Sequence, residues 1–343
     1  MSLKTDWYNR PFEDYFNNQY GGFGRNVPEG AEVGIEIEVE GRNLPRNGIT
    51  GWTVVEDHSL RGESAEYVFR APEPRTRVPT RLATLSGHLA REGVEVNQSY
   101  RTSVHVHMNV RGWQIKKIYN NIMLYIIFED ILGEMAGKDR IGNLFCLRAK
   151  DAEFFLDQLR QSIITDNIGL MNSQNLRYSA VNPLALFVHG SLEFRAFRGT
   201  TDTALIQEWV DTLFAIRDAA QRFDNPIQIV EQMSSMGARD FARSIFTDEQ
   251  ISRWTGNWEE HIYEGIGLIQ HAAYGHGWVV TDINRKIRAK SQDTMAFTQA
   301  MRILRDPDGL RPGQWVQPAP PEPAVLHIDE IDFDDMAQDE EDL

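Results

Sequence analysis

Cysteine is nearly absent: Cys146 is the one thiol in 343 residues. A single thiol excludes an intramolecular disulfide, and with it a secreted disulfide scaffold. It also argues against a cysteine-based zinc site. Long apolar runs are missing too. The greasiest stretch, Ile122 to Ile127, is six residues long and flanked by Asn120, Asn121, Glu129 and Asp130. A membrane helix needs roughly 18 such residues or more, so no membrane span is expected. The first twenty residues lack the basic-then-apolar order of a secretion signal, and a cytoplasmic location is expected. Positive charge is in deficit, since 35 basic against 50 acidic side chains give a net charge of −15. Such a chain repels phosphate backbones, which excludes general nucleic-acid binding but leaves room for a local pocket holding one nucleotide. There is no Gly-x-Gly-x-x-Gly after the first strand, no Walker lysine loop and no internal repeat.

What is present is ordinary core-forming material, 41 % hydrophobic and 10 % aromatic, enough for one large domain or two small ones. The acid is unevenly placed. Residues 329–342 hold nine acidic and no basic side chains, so −9 of the −15 lies there and −6 in the rest. Pro307, Pro312, Pro318, Pro320, Pro321 and Pro323 precede it. The composition predicts a proline-rich linker over 305–328 and a disordered acidic tail over 329–343. Ile331, Phe333 and Met336 among those acids offer the tail a possible docking role.

Periodicity organises the remainder. Residues 1–30 are polar, aromatic and glycine-rich and are expected to form an irregular lead-in, followed by a folded body over 31–304. Glu32 to Gly41 alternates strictly, with Val33, Ile35, Ile37 and Val39 on one face and Glu32, Glu36, Glu38 and Glu40 on the other, which is a strand. Further strands are expected at Trp52–Val55, Glu66–Phe69, Arg101–Val110 and Leu186–Arg198. Helices are expected at Thr80–Glu92, Gln114–Met135 and Asp151–Thr165. From Thr203 the pattern is helical throughout: Ala204–Phe223, Pro226–Met236, a helix capped by Thr247 and Gln250, Trp258–Ala273 and Thr281–Leu304. Strand-rich and helix-rich halves predict an α+β fold with an antiparallel or mixed sheet.

Three of these strands each offer a pair of polar groups two residues apart. Glu36 and Glu38, His105 and His107, and Glu193 and Arg195 each point to one side of their strand, about 7 Å apart at the α-carbons. Arg198 has the opposite parity to Arg195 and reaches that side only if the strand ends or bulges near Ala196. Each pair alone reads most simply as a solvated strand face or a surface ion pair. In one sheet, however, the carboxylates and imidazoles would hold Mg²⁺ or Mn²⁺, and arginine would pair with phosphate. A His-x-His zinc hydrolase is disfavoured by Asn109 and Val110, and a cupin by the absence of a following glutamate. Cys146 reads as a core thiol.

The ordered set Gly34-Ile-Glu36-Ile-Glu38, Trp52 with Asp57-His-Ser59-Leu60, Ser103-x-His105-Val-His107, Tyr178 to Asn182, and Leu192-Glu193-Phe194-Arg195-x-Phe197-Arg198-Gly199-Thr200 resembles the amidoligase family. That family belongs, with the glutamate–cysteine ligases, to the carboxylate–amine ligases of the glutamine synthetase fold. The resemblance spans residues 33–202 and implies a curved antiparallel sheet binding ATP and two or three Mg²⁺ (or Mn²⁺) ions, to which the periodicity adds inserted helices and a helical C-terminal part. It implies metal ligands at Glu36, Glu38, Asp57, Glu66, His105 and Glu193, with Glu63 competing for the place of Glu66. His107 would contact the nucleotide, Arg195 and Arg198 would act on the transferred phosphoryl group, and Asn182 and Arg140 would touch phosphate or substrate. Val104 departs from the small residue common before the first histidine in such ligases. The implied activity joins a carboxylate and an amine through an acyl phosphate, on a small-molecule, peptide or protein substrate. A lapsed relative acting as a binding or assembly factor, and a metal-dependent hydrolase working without ATP, are the competing readings.

Overall fold

The computed structural model describes residues 6–275 except 25, 98 and 153. The helix expected over 281–304, the proline-rich linker, the acidic tail and its docking role lie outside the described residues.

A seven-stranded, open, wholly antiparallel sheet dominates the first two hundred residues. Its strands are β1 (Val33–Arg42), β2 (Trp52–Val55), β3 (Ser64–Phe69), β4 (Glu95–Asn97), β5 (Ser103–Asn109), β6 (Val181–Asn182) and β7 (Ser191–Arg198). Their order is β2-β3-β1-β5-β7-β6, with β4 paired to the end of β1. The three strands expected to carry paired polar groups are therefore direct neighbours in the centre. Alternation gives the sheet two unlike faces. Val33, Ile35, Ile37 and Val39 are sealed from solvent on one, and the glutamates of β1 lie on the other.

Helices cover the apolar face. Their ranges are α1 (Phe12–Tyr20), α2 (Val78–Arg91), α3 (Ile115–Ala136), α4 (Phe155–Ile164), α5 (Ala185–His189), α6 (Thr203–Arg222), α7 (Pro226–Met236), α8 (Ala238–Arg243), α9 (Asp248–Ser252) and α10 (Trp258–Ala273). The central one is α3, buried almost all round, as a helix without a polar stripe must be. It packs on β7, with Tyr125 and Phe194 ring centroids 5.1 Å apart, and is itself covered by α6 and α10. The capping box foreseen at Thr247 and Gln250 is present in both directions. No helix among the described residues is long and apolar enough to cross a membrane.

Two expectations need correction. The lead-in is not wholly irregular, because Phe12, Tyr15 and Phe16 fall at helical spacing and anchor α1 in the core. The segment from Leu186 is not one strand: residues 185–189 form a helical turn that Gly190 ends in the left-handed region (φ +71°), and β7 begins at Ser191.

Candidate active site

Register decides which polar groups meet. Glu36 lies opposite His105, Glu38 opposite Glu66, His107 opposite Glu193, and Glu193 opposite Asn182. Because side chains alternate with period two, all of these project from the face of the sheet away from α3. His105 is the hub. Its Nδ1 is 3.1 Å from Glu36 Oε2 and 3.5 Å from Glu193 Oε1. Its Nε2 is 2.7 Å from Ser103 Oγ, which is 2.6 Å from Glu38 Oε2, and the Ser103 amide donates to that same oxygen at 2.8 Å. His107 Nε2 lies 3.2 Å from Glu36 Oε1 without hydrogen-bond geometry, and its Nδ1 is 3.1 Å from Ser191 Oγ. Arg195 Nη1 donates to Glu193 Oε1 at 2.8 Å, and Asn182 Nδ2 to Glu193 Oε2 at 2.7 Å.

Two groups of ligand atoms converge to within 4.8 Å of one another: Glu36, Glu66 and His105, and Glu36, His107 and Glu193. Glu36 belongs to both. The donor set of carboxylate oxygens with imidazole nitrogen suits divalent cations. Hydrogen bonding points the same way. Glu38 accepts twice from Ser103, so the serine oxygen is left to accept from Nε2–H of His105. The Nδ1 lone pair then faces two carboxylates, an arrangement that requires a proton or a cation between them.

The local electrostatics show an excess of negative charge. Burial pushes Glu66 up to about 8, reinforced by Glu36, Glu38 and Asp57. Burial also raises Glu38. Burial opposes the ionisation of Glu36, yet the charge of His107 and the nearness of the His105 imidazole hold it well below the ordinary carboxylate value. Glu193 is likewise held low against burial by Arg195, His107 and His105. Burial would lower His107, but Glu36 outweighs it and lifts the imidazole to about 9.

The geometry separates the residues expected here into two sets. Glu36, Glu38, Glu66, His105, His107, Glu193 and Arg195 come together. Glu66 and not Glu63 joins them, since the Glu63 carboxylate accepts from the Leu44 amide. Asp57 stands at the rim, accepting from the amide and hydroxyl of Ser59 while its charge acts on Glu38 and Glu66. Three expectations are corrected. Arg140 is buried and donates to four backbone carbonyls, those of Tyr100, Thr102, Arg195 and Ala196, rather than facing a phosphate. Asn182 is engaged at both ends of its amide, by Glu193 and by the Leu184 amide, and so holds Glu193 in place. Arg198 does arrive opposite Ser103 through a bulge in β7, but its guanidinium donates to the Met135 and Ala136 carbonyls at the end of α3, where helix carbonyls lack partners. Val104 points into the core and does not border the cluster.

Sequence reasoning missed Ser103 and Ser191, although Ser103 lies two residues before the His105 it touches and Ser191 two before Glu193 on β7. Ser103, His105 and Glu36 form a serine–imidazole–carboxylate chain, but not a nucleophile's. Ser103 is only 3 % exposed and its hydroxyl is already given to Glu38.

Beside the cluster opens a cavity of about 550 Å³, reached past Glu36 and His107 and lined by Gly34, Val68, Arg70 and Asn109. Gly34 puts no side chain over this floor. A second cavity, of about 750 Å³, lies along α6, and its Arg75, Asp211, Glu208 and Arg253 are paired with each other.

Against this geometry, residues 76–217 match the family model described as "putative amidoligase enzyme". The match covers 142 of the 343 residues, and over that segment the chain is similar to the family so described. A search of curated proteins gave no match. The matched segment contains His105, His107, Asn182, Glu193 and Arg195, whereas Glu36, Glu38 and Glu66 come from the strands that precede it.

Proposed function

We propose that the protein is an ATP-dependent carboxylate–amine ligase working through an acyl phosphate. The observation that carries this reading is the convergence of four buried or half-buried carboxylates, two imidazoles and Arg195 on one sheet face, one carboxylate more than Arg195 and two protonated histidines can balance. Glu36, Glu38, Glu66, His105 and Glu193 fit Mg²⁺ or Mn²⁺, with Asp57 at the edge. Bound there, such ions would neutralise the triphosphate and let an anionic carboxylate approach it.

The protein's own groups divide the remaining work. The cavity lined by His107 suits the nucleotide, and His107, lifted to about 9, would donate to a phosphate oxygen. Arg195, held by Glu193, would meet the transferred phosphoryl oxygens. A substrate carboxylate oxygen forms a bond to the γ-phosphorus as its bond to the β,γ-bridging oxygen breaks, releasing ADP. The amine nitrogen then attacks the acyl carbon, phosphate leaves with the C–O electron pair, and the ammonium proton is lost. Ser103 and Asn182 keep Glu38, His105 and Glu193 fixed through both steps, so little reorganisation is needed.

Thermal unfolding with Mg²⁺, with ATP and with both tests this. Ligand at 100 times its dissociation constant adds about 2.7 kcal/mol of stability. The reading expects a shift that needs both ligands and is lost in Glu36→Ala/Glu38→Ala. No response to nucleotide overturns it, in favour of a metal-dependent hydrolase if metal alone stabilises and of a binding protein if neither does.

A further inference from the structure

The bulge in β7 sits beside the residue on which the proposed chemistry depends. Val106 of β5 pairs with Phe194 and Val104 with Phe197, so two residues of β7, Arg195 and Ala196, stand where His105 stands alone on β5. Bulges break the ladder and re-aim a side chain, and the carbonyls they leave over need donors. Here both come from one side chain. Arg140 Nη2 donates to the Arg195 carbonyl at 3.0 Å and Nε to the Ala196 carbonyl at 3.1 Å. The other arm of the fork, Nη1, reaches the carbonyls of Tyr100 at 3.1 Å and Thr102 at 3.5 Å, just before β5.

Arg140 is 3 % exposed, and among the described residues no carboxylate pairs with it. Burying a guanidinium without a counter-ion is costly, and a strand end that needed only solubility or packing would not require it. What the fork gains is a tie between two backbones. Thr102 adjoins Ser103, whose amide and hydroxyl hold Glu38, and Arg195 carries the guanidinium that pairs with Glu193. We propose that Arg140 is a positioning residue: by gripping the bulge carbonyls it sets where the Arg195 guanidinium points relative to Glu193 and the metal-binding cluster. The role in turnover rests on the ligase reading; the positioning itself does not. Lysine has the charge but not the planar fork, so it cannot serve carbonyls on both sides at once.

The test is Arg140→Lys in the full chain, measured in two ways. A crystal structure should show the bulge rearranged and the Arg195–Glu193 pair, 2.8 Å in the wild type, opened beyond about 4 Å, the limit of an ion pair, with β1–β5 pairing kept. An unchanged bulge and pair overturn the proposal. Phosphate release from ATP with Mg²⁺ should fall about 100-fold in kcat, as expected for a reacting group displaced by an ångström, with KM for ATP unchanged. Adding Arg140→Lys to Arg195→Ala should cost nothing further, whereas independent, multiplying losses overturn the proposal. If the wild type neither binds nor turns over ATP, the ligase reading falls and the crystal structure alone decides the positioning. Should Arg140→Lys not fold, Arg140→Gln takes its place, and failure of both to fold overturns the proposal in favour of a purely structural role.

Discussion

The hydroxyl of Ser103 lies 2.7 Å from Nε2 of His105, on the ring edge away from Glu36. That contact sets the tautomer: with Nε2 donating to the serine, Nδ1 is left as the ligand atom, facing Glu36 and Glu193. Ser103→Ala removes it while leaving the backbone amide on Glu38. Mn²⁺ affinity, measured by isothermal titration, is expected to fall about 10- to 100-fold, the usual loss when the partner of a ligating histidine is removed. Unchanged affinity would show that the imidazole is oriented by something else.

Arg195→Ala removes the cation proposed to meet the phosphoryl group, and the cost should lie in turnover. Guanidinium stabilisation of phosphoryl transfer is worth roughly 10³–10⁵ in kcat. ATP-dependent phosphate release should drop by that order while the unfolding transition is retained. Glu38→Ala should abolish turnover by losing a metal ligand and the acceptor of Ser103. Activity near wild type in either variant contradicts the assignment of the site.

Helix α10 crosses α3 at Gly265, where an added Cβ would lie 2.5 Å from the Ile127 carbonyl oxygen and 2.6 Å from its Cα. Neither helix backbone can move without disturbing a buried spine. Gly265→Ala should therefore destabilise by about 1–3 kcal/mol in urea unfolding, against the gain of up to about 1 kcal/mol that alanine brings to an unconstrained helix site. A neutral or stabilising substitution would mean that the helices part more easily than the contact implies.

Much of this was readable before any coordinates. Strict alternation in β1 placed Glu36 and Glu38 on one side, and apolar periodicity located Trp52–Val55, Pro226–Met236 and Trp258–Ala273 to the residue. The parity of Arg198 marked Ala196 as the place where the strand would have to end or bulge for Arg198 to share the face of Arg195, and β7 bulges there. The failures share a cause. A two-residue strand such as β6, or a single turn such as α5, carries too few residues for a period to register. The roles of Arg140 and Asn182 depend on which backbone and carboxylate groups register and bulge leave without partners, and pairing between distant strands creates those. An arginine written in sequence looks the same whether it will face phosphate or four carbonyls.

Glu129 offers a pH signature distinct from the site. It is fully buried on α3, accepts from the Ala149 amide, and burial pushes its carboxyl up to about 8, with Asp130 adding to the shift. A carboxyl with a folded value above its unfolded one binds a proton on folding, so its contribution is complete below about pH 4.5 and is lost as pH rises through about 8. Glu129→Gln should flatten that decline, gaining on the order of a few kcal/mol relative to wild type at pH 8 compared with pH 5. Parallel stability curves for the two proteins would show that the carboxyl does not bury its proton.

Asn182 and Glu193 give the sharpest distinction between a side chain that orients a ligand and one that meets substrate. The Asn182 amide is the donor to a buried carboxylate oxygen at 2.7 Å and, through its own oxygen, the acceptor for the Leu184 amide. Asn182→Ala leaves both groups unpaired and should cost about 1.5–3 kcal/mol, as for hydrogen bonds to a charged partner. Asn182→Asp keeps the shape but sets a second carboxylate against Glu193. Two like charges so close cannot both ionise, so one must take up a proton and thereby restore the hydrogen bond. The Asp variant should then be weakest at neutral pH and recover toward wild type as pH falls to about 5, where that proton is easily supplied. Measured as differences from wild type, these deficits are free of the cluster's own titration, and the Ala deficit should stay level across the range. A deficit in Asn182→Asp that does not shrink on acidification would mean that Asn182 and Glu193 are not bonded in solution, and Glu193 would then owe its position to Arg195 alone.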